Sequence, residues 1–139
     1  MPKNKIRGKI ISGVRKGAFF MMLSWVQEQC FEKLGFKPYP GTLNLEIAVD
    51  DIPIIEALRP EEGLELMPPD SNFCSGLVFP VSIEGIPGAI VLPAEDVRVH
   101  GNNIIEIISP QMLKKAMDVK DGDLLSITLD RHQDPINSD

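Results

Sequence analysis

Two short stretches carry residue types suited to an anionic ligand. The first is Gly13-Val14-Arg15-Lys16-Gly17. Glycines let a loop turn its amides toward an anion, and Arg15 and Lys16 add positive charge. The stretch lacks the Gly-Lys-Ser/Thr ending of a P-loop, and a plain basic hairpin turn is the alternative reading. The second is Gly41-Thr42-Leu43-Asn44. On a strand, Thr42 and Asn44 point to the same face. A hydroxyl and a carboxamide are hard, neutral oxygen donors of the kind that suit Mg²⁺, which keeps several waters and draws on phosphate oxygens. The alternative is the polar side of an amphipathic strand.

Two further places stand out. Glu106 interrupts the run Ile104-Ile105-Glu106-Ile107-Ile108. A carboxylate there must face outward or have a partner. Ser109 to Lys114 reads as a helix start, whose open amides can meet an anion, or as a capped helix and nothing more. His100 and His132 have no partner in the pattern. Asp50-Asp51 and Glu61-Glu62 read as solvated acids. No nucleophile sits on a glycine-framed turn, so a Ser/His/Asp site is not expected.

The elements that must position these residues follow from periodicity. Ile6 to Ser12 reads as a strand, and Phe19 to Leu23 as a short extended run. Ser24 and Gln27 have capping-box spacing ahead of Val26, Cys30, Phe31 and Leu34, which repeat with the period of a helix and face a core. Gly35 ends that helix. Phe36 to Gly41, with two prolines, is a rigid turn. Thr42 to Val49 alternates as a half-buried strand, with Leu43, Leu45 and Ile47 inward. Asp50 to Leu58 allows one or two helical turns, and Pro60 to Asp70 is a surface loop. Gly76 to Ile83 and Gly88 to Leu92 are strands about a turn at Glu84 to Pro87, and Pro93 to Asn103 is a loop. Ile104 to Ile108 is a buried strand. Ser109-Pro110 opens a second helix that runs to about Met117. Asp121-Gly122-Asp123 turns into a last strand, Leu124 to Leu129. Many short strands and two short helices, with no repeating βα unit, predict a mostly β fold built as a small barrel.

The 139 residues suit one domain, with a core over about 6–129 and a polar tail. Apolar residues make up 43% and charged residues 24%, an ordinary globular balance. A net charge of −6 argues against nucleic acid or anionic lipid as a partner, but leaves room for a small anion held locally. Cys30 and Cys74 form no CxxC pair, so a zinc site is not expected, and two isolated thiols suit a reducing compartment. No run resembles a signal peptide or a membrane span, and the chain is expected in the cytoplasm. Oligomeric state is not legible.

Taken in order, the pieces are more specific than any one of them. Ser12-Gly13-x-x-x-Gly17-x-x-Phe20, Leu34-Gly35-Phe36-x-Pro38-Tyr39-x-Gly41-Thr42-Leu43-Asn44, Ile105-Glu106-Ile107-Ile108-x-Pro110-x-x-Leu113 and Asp121-Gly122-Asp123 span most of the chain. Together they resemble the archaeal CTP-dependent riboflavin kinases. The resemblance implies a six-stranded cradle-loop barrel and phosphoryl transfer from CTP to riboflavin, giving FMN and CDP. It implies that Gly13, Val14, Arg15, Lys16, Gly17 and Ala18 hold the nucleotide phosphates, with Gln111, Met112, Leu113 and Lys114 also contacting the nucleotide. It implies that Thr42 and Asn44 hold Mg²⁺. Glu106 would bind the flavin and is the one matched carboxylate available for catalysis.

Three positions depart from the family pattern. Arg15 stands where the family loop usually has a middle glycine. Asp96 or Arg98 stands where the family has a flavin-contacting threonine. Lys114 replaces an arginine and so loses a bidentate fork. A nucleotide- or flavin-binding module without turnover, or a kinase for another small alcohol, are the alternatives these departures suggest. The implied partners are small molecules.

Overall fold

Large aliphatic residues recur along the strands, so nearly every strand has an apolar face toward one interior. A sheet with one apolar face can hide it by curling on itself. The computed structural model describes residues 4–11, 23–69, 76–93 and 103–130. Within them lie seven strands: β1 (Lys5–Ile11), β2 (Leu43–Ile47), β3 (Leu64–Leu66), β4 (Gly76–Ile83), β5 (Ile86–Pro93), β6 (Ile104–Ile108) and β7 (Leu124–Leu129). Every pairing is antiparallel. The ring runs β4-β5-β6-β2-β1-β7 and closes because β7 pairs back onto β4 through Val81↔Leu129 and Ser82↔Thr128. This is the expected six-stranded barrel. The remaining strand, β3, lies along the first part of β4, from Gly76 to Val78.

β4 therefore shares one edge between two neighbours, β3 first and β7 afterwards. Pro80 sits at the changeover, and its carbonyl accepts the Asp130 amide at 2.9 Å. A proline, which has no amide to donate, is tolerated in a barrel strand at such a gap in the ladder. The barrel interior is filled by Ile6, Ile10, Leu45, Ile83, Ile90, Ile105, Ile107 and Ile127, all fully buried, with Phe79 and Leu113 among their neighbours.

A second apolar cluster lies outside the ring. Helix α1 (Ser24–Leu34) buries Val26 and Cys30 against Leu66, Val78, Ala89 and Ile108. Burial pushes the Cys30 thiol up to about 11, so it stays protonated and serves as core. α1 also covers the free edge of β3. The Gln29 carboxamide donates to the Met67 carbonyl at 2.6 Å and accepts the Met67 amide at 2.7 Å. Lys33 Nζ donates to the Glu65 carbonyl.

Several expectations need correction. Pro60 to Asp70 is not simply a loop: it holds a 3-10 turn (Pro60–Glu62) and β3, whose Leu66 is fully buried. The capping box at Ser24 does not form, and α1 has no side-chain cap. Gln27 instead donates to the Pro38 carbonyl at 2.8 Å. Phe31, placed in the core by spacing, is 55% exposed, and Lys37 Nζ lies 5.8 Å from its ring centroid. The Glu84-Gly85 turn is tighter than expected, with both residues at positive φ, so Ile86 and Pro87 already belong to β5.

Asp51 is not a solvated acid. It is 1% exposed at the end of a 3-10 turn (Val49–Asp51) that leads into helix α2 (Ile52–Glu56), where the sequence allowed one or two helical turns. Its carboxylate accepts the Arg7 amide at 2.9 Å and Arg7 Nε at 3.1 Å. That hydrogen bond, then the charge of Asp51, raises the Arg7 guanidinium above its ordinary value. The last helix, α3, spans only Leu113–Ala116 and does not start at Ser109. Among the described residues, no helix is long and apolar enough to cross a membrane.

Candidate functional site

The outer face of β2 and β6 carries the polar residues the sequence singled out. With Leu43, Leu45 and Ile47 turned inward, Thr42 and Asn44 must share the outer side. The register Leu43↔Ile107, Asn44↔Glu106, Leu45↔Ile105 sets Glu106 directly beside Asn44. Ile105 and Ile107 are buried in the barrel, so the carboxylate between them projects outward. There it accepts the Thr42 hydroxyl, Oγ1 to Oε1, at 2.9 Å. Asn44 is 5% exposed although it faces away from the barrel axis. A hydroxyl, a carboxamide and a carboxylate thus meet over two neighbouring strands.

Chain geometry frames this trio. Before β2, Gly41 adopts φ +146°, in a region that side chains disfavour, and turns the chain into the strand at Thr42. The preceding turn is held by Gln27 on the Pro38 carbonyl and by the Tyr39 amide on the Ser109 carbonyl at 2.7 Å. Ser109 is 3% exposed. Its hydroxyl donates to the Pro87 carbonyl at 3.0 Å and accepts the Gln111 amide at 3.4 Å. It does not cap a helix as the sequence suggested; it joins the β4–β5 hairpin to the segment that follows β6. The same segment carries Gln111 and Met112, both exposed. Leu113 is buried with the barrel core, and its carbonyl accepts the Met117 amide at 2.9 Å. Lys114 Nζ is 2.6 Å from Asp121 Oδ1, so its ammonium already has an acidic neighbour at the Asp121-Gly122-Asp123 turn.

On the other side of the trio, Ile11 of β1 pairs with Asn44. The chain leaves β1 at this point. Gly13, Val14, Arg15, Lys16, Gly17 and Ala18 follow, but lie outside the described residues, as do Asp96, Arg98, His100, His132 and Cys74. The structure therefore brings Thr42, Asn44 and Glu106 together, with Gln111 to Lys114 starting three residues beyond β6. What sequence reasoning missed is Ser109's joining role and the Thr42–Glu106 contact. The buried serine was visible only as a helix-start signal, and the contact depends on strand register.

The donor set fits a hard cation supplied mostly by others. Thr42 and Asn44 offer two neutral oxygens on one face, too few to enclose Mg²⁺ alone but suited to one that also binds phosphates and waters. Among the described residues, no three His, Cys, Asp or Glu cluster as an all-protein metal cage.

Comparison with known proteins adds the context. The family model CTP-dep_RFKase, described as a domain of unknown function, DUF120, matches residues 10–129. The chain is 39% identical to a riboflavin kinase of Archaeoglobus fulgidus over 88% of its length and 53% of that protein's. It is 33% identical to a riboflavin kinase of Pyrobaculum aerophilum, covering 90% of this chain and 60% of the relative. With a riboflavin kinase of Ignicoccus hospitalis it shares 34% identity over 88% of this chain and 69% of the other. The chain thus spans about half to two thirds of the length of these relatives.

Proposed function

The chain belongs to the CTP-dependent riboflavin kinase family, and on that premise we propose that it phosphorylates riboflavin with CTP, giving FMN and CDP. The observation that carries this reading is the outer-face trio, in which Thr42 and Asn44 sit on one strand face and the Thr42 hydroxyl is held by Glu106. In the reaction a ribityl hydroxyl oxygen bonds to the γ-phosphorus of CTP while the bond from that phosphorus to the β–γ bridging oxygen breaks. CDP departs with the bridging oxygen, and the hydroxyl proton leaves the new ester. Such transfers depend on alignment and on charge neutralisation more than on covalent help from the protein.

Each residue then has a part. Thr42 and Asn44 hold Mg²⁺, which when bound offsets phosphate charge. The loop from Gly13 to Ala18, entered from the β1 position beside Asn44, wraps the phosphates with its amides and with Arg15 and Lys16. Residues Gln111 to Lys114 contact the nucleotide, with Lys114 exchanging Asp121 for a phosphate. Glu106 faces the flavin's ribityl chain and is the carboxylate nearest the acceptor hydroxyl. Asp96 or Arg98 takes the place of the family's flavin-contacting threonine. A reducing cytoplasm suits the free, buried Cys30.

Purified protein with Mg²⁺, riboflavin and either CTP or ATP tests the proposal by FMN formation. FMN appears with CTP and is much slower with ATP. CTP bound without product would convert the reading to a nucleotide-binding module, and no nucleotide binding at all would remove it.

A further inference from the structure

A threonine hydroxyl coordinates a cation through its lone pairs, so its proton must point elsewhere. In this structure the proton has a defined destination, the Glu106 carboxylate 2.9 Å away. We infer that Glu106 is a positioning residue for the cation: by accepting the hydrogen bond of the Thr42 hydroxyl, it turns that oxygen's lone pairs outward beside Asn44. The inference rests on the Mg²⁺ reading above and adds to it, because there Glu106 serves only the flavin.

Two observations carry it. The register places Glu106 opposite Asn44, so one carboxylate stands beside both oxygen donors. Its strand neighbours Ile105 and Ile107 are buried in the barrel, which fixes its outward direction. Carboxylates that hold a metal ligand by hydrogen bond orient it and raise its basicity, and losing them typically weakens metal binding by roughly 10–100-fold.

The test measures Mn²⁺, in place of Mg²⁺, binding to the protein–CDP complex by electron paramagnetic resonance. No riboflavin is present, so a flavin contact cannot contribute. Glu106→Ala should weaken Mn²⁺ by at least roughly 10-fold, while Glu106→Gln, which keeps an acceptor for the hydroxyl, should retain most of the affinity. In a Thr42→Val background, Glu106→Ala should cause no further loss. Wild-type affinity in Glu106→Ala would overturn the inference, and so would an undiminished loss in the Thr42→Val background. Should Glu106→Ala fail to fold, Glu106→Leu, equally unable to accept the proton, takes its place in the same cycle. A wild-type protein that adds nothing to the Mn²⁺ affinity of CDP alone would sink the underlying Mg²⁺ reading, which is a separate result.

Discussion

Single side chains in this protein divide by what they would leave behind if removed. Asn44 is nearly enclosed on the outer face, between Ile11 of β1 and Glu106 of β6. Asn44→Ala deletes one of the two proposed cation ligands. FMN formation should fall roughly 100-fold or more, the scale at which misplaced reacting groups slow a transfer. An Asn44→Ala protein with wild-type turnover would remove the ligand assignment. Asp51 is the opposite case. It holds the main-chain amide of Arg7 from a buried position. The ion pair with the exposed guanidinium counts for little, but an orphaned amide does not. Asp51→Ala should cost about 1–3 kcal/mol in urea unfolding and leave the rate constant of folded protein unchanged. A loss below measurement would mean the amide finds water at no cost.

At the scale of elements, the most constrained approach is between two strands. A Cβ on Gly88 would stand 2.6 Å from the Ile108 carbonyl oxygen, with Ile83 also in contact. Backbone cannot yield as a side-chain tip can. Gly88→Ala should therefore destabilise by about 1–3 kcal/mol, as overpacked cores do, and should loosen β6 where it passes into Ser109. Thermal melting read beside a Gly8→Ala control checks this, since the tightest neighbours at Gly8 lie at 3.1 and 3.2 Å. Equal melting points would mean the β5–β6 spacing is softer than drawn.

Elements also show what was legible beforehand. Period-two alternation read β2 and both of its faces, and Gly76 to Ile83 was read with the bounds of β4. The turn at Asp121 to Asp123 was equally readable, because it is local: the Asp123 carboxylate accepts the Lys120 amide three residues back. Three of the misses share one cause. Ser24, Ser109 and Asp51 each carry a side chain suited to a nearby helix end or to water. Gln27 and Ser109 bond instead to carbonyls 11 and 22 residues away, and Asp51 to an amide 44 residues away. β3 has three residues, too few for alternation to register. For the site, spacing put Thr42 and Asn44 on one face, but only strand register across 64 residues could bring Glu106 to Thr42. Family resemblance supplied the grouping that periodicity could not.

Across the whole molecule, closure is uneven. β4 and β5 run together over eight pairs, while β4 and β7 meet at two, with the Asp130 amide on Pro80 extending the contact. Local opening starts where few hydrogen bonds must break together. Hydrogen exchange should find the Asp130 amide, which crosses this seam to Pro80, exchanging at least about 10-fold faster than those of Phe79 and Ile90, which lie within the long hairpin. Uniform protection around the ring would mean that the barrel opens only as a unit.

A ring with one strand too many faces a hazard that a plain ring does not. The outer rim of β3 is a ladder rung waiting for another chain, and such rims seed fibrils. Here the rim is answered by Gln29, whose carboxamide copies the donor and acceptor of a missing peptide unit, and by the Lys33 ammonium. The helix that lies over the barrel's flank is thus also a guard against polymerisation, and keeps one molecule from reading its neighbour as its own next strand.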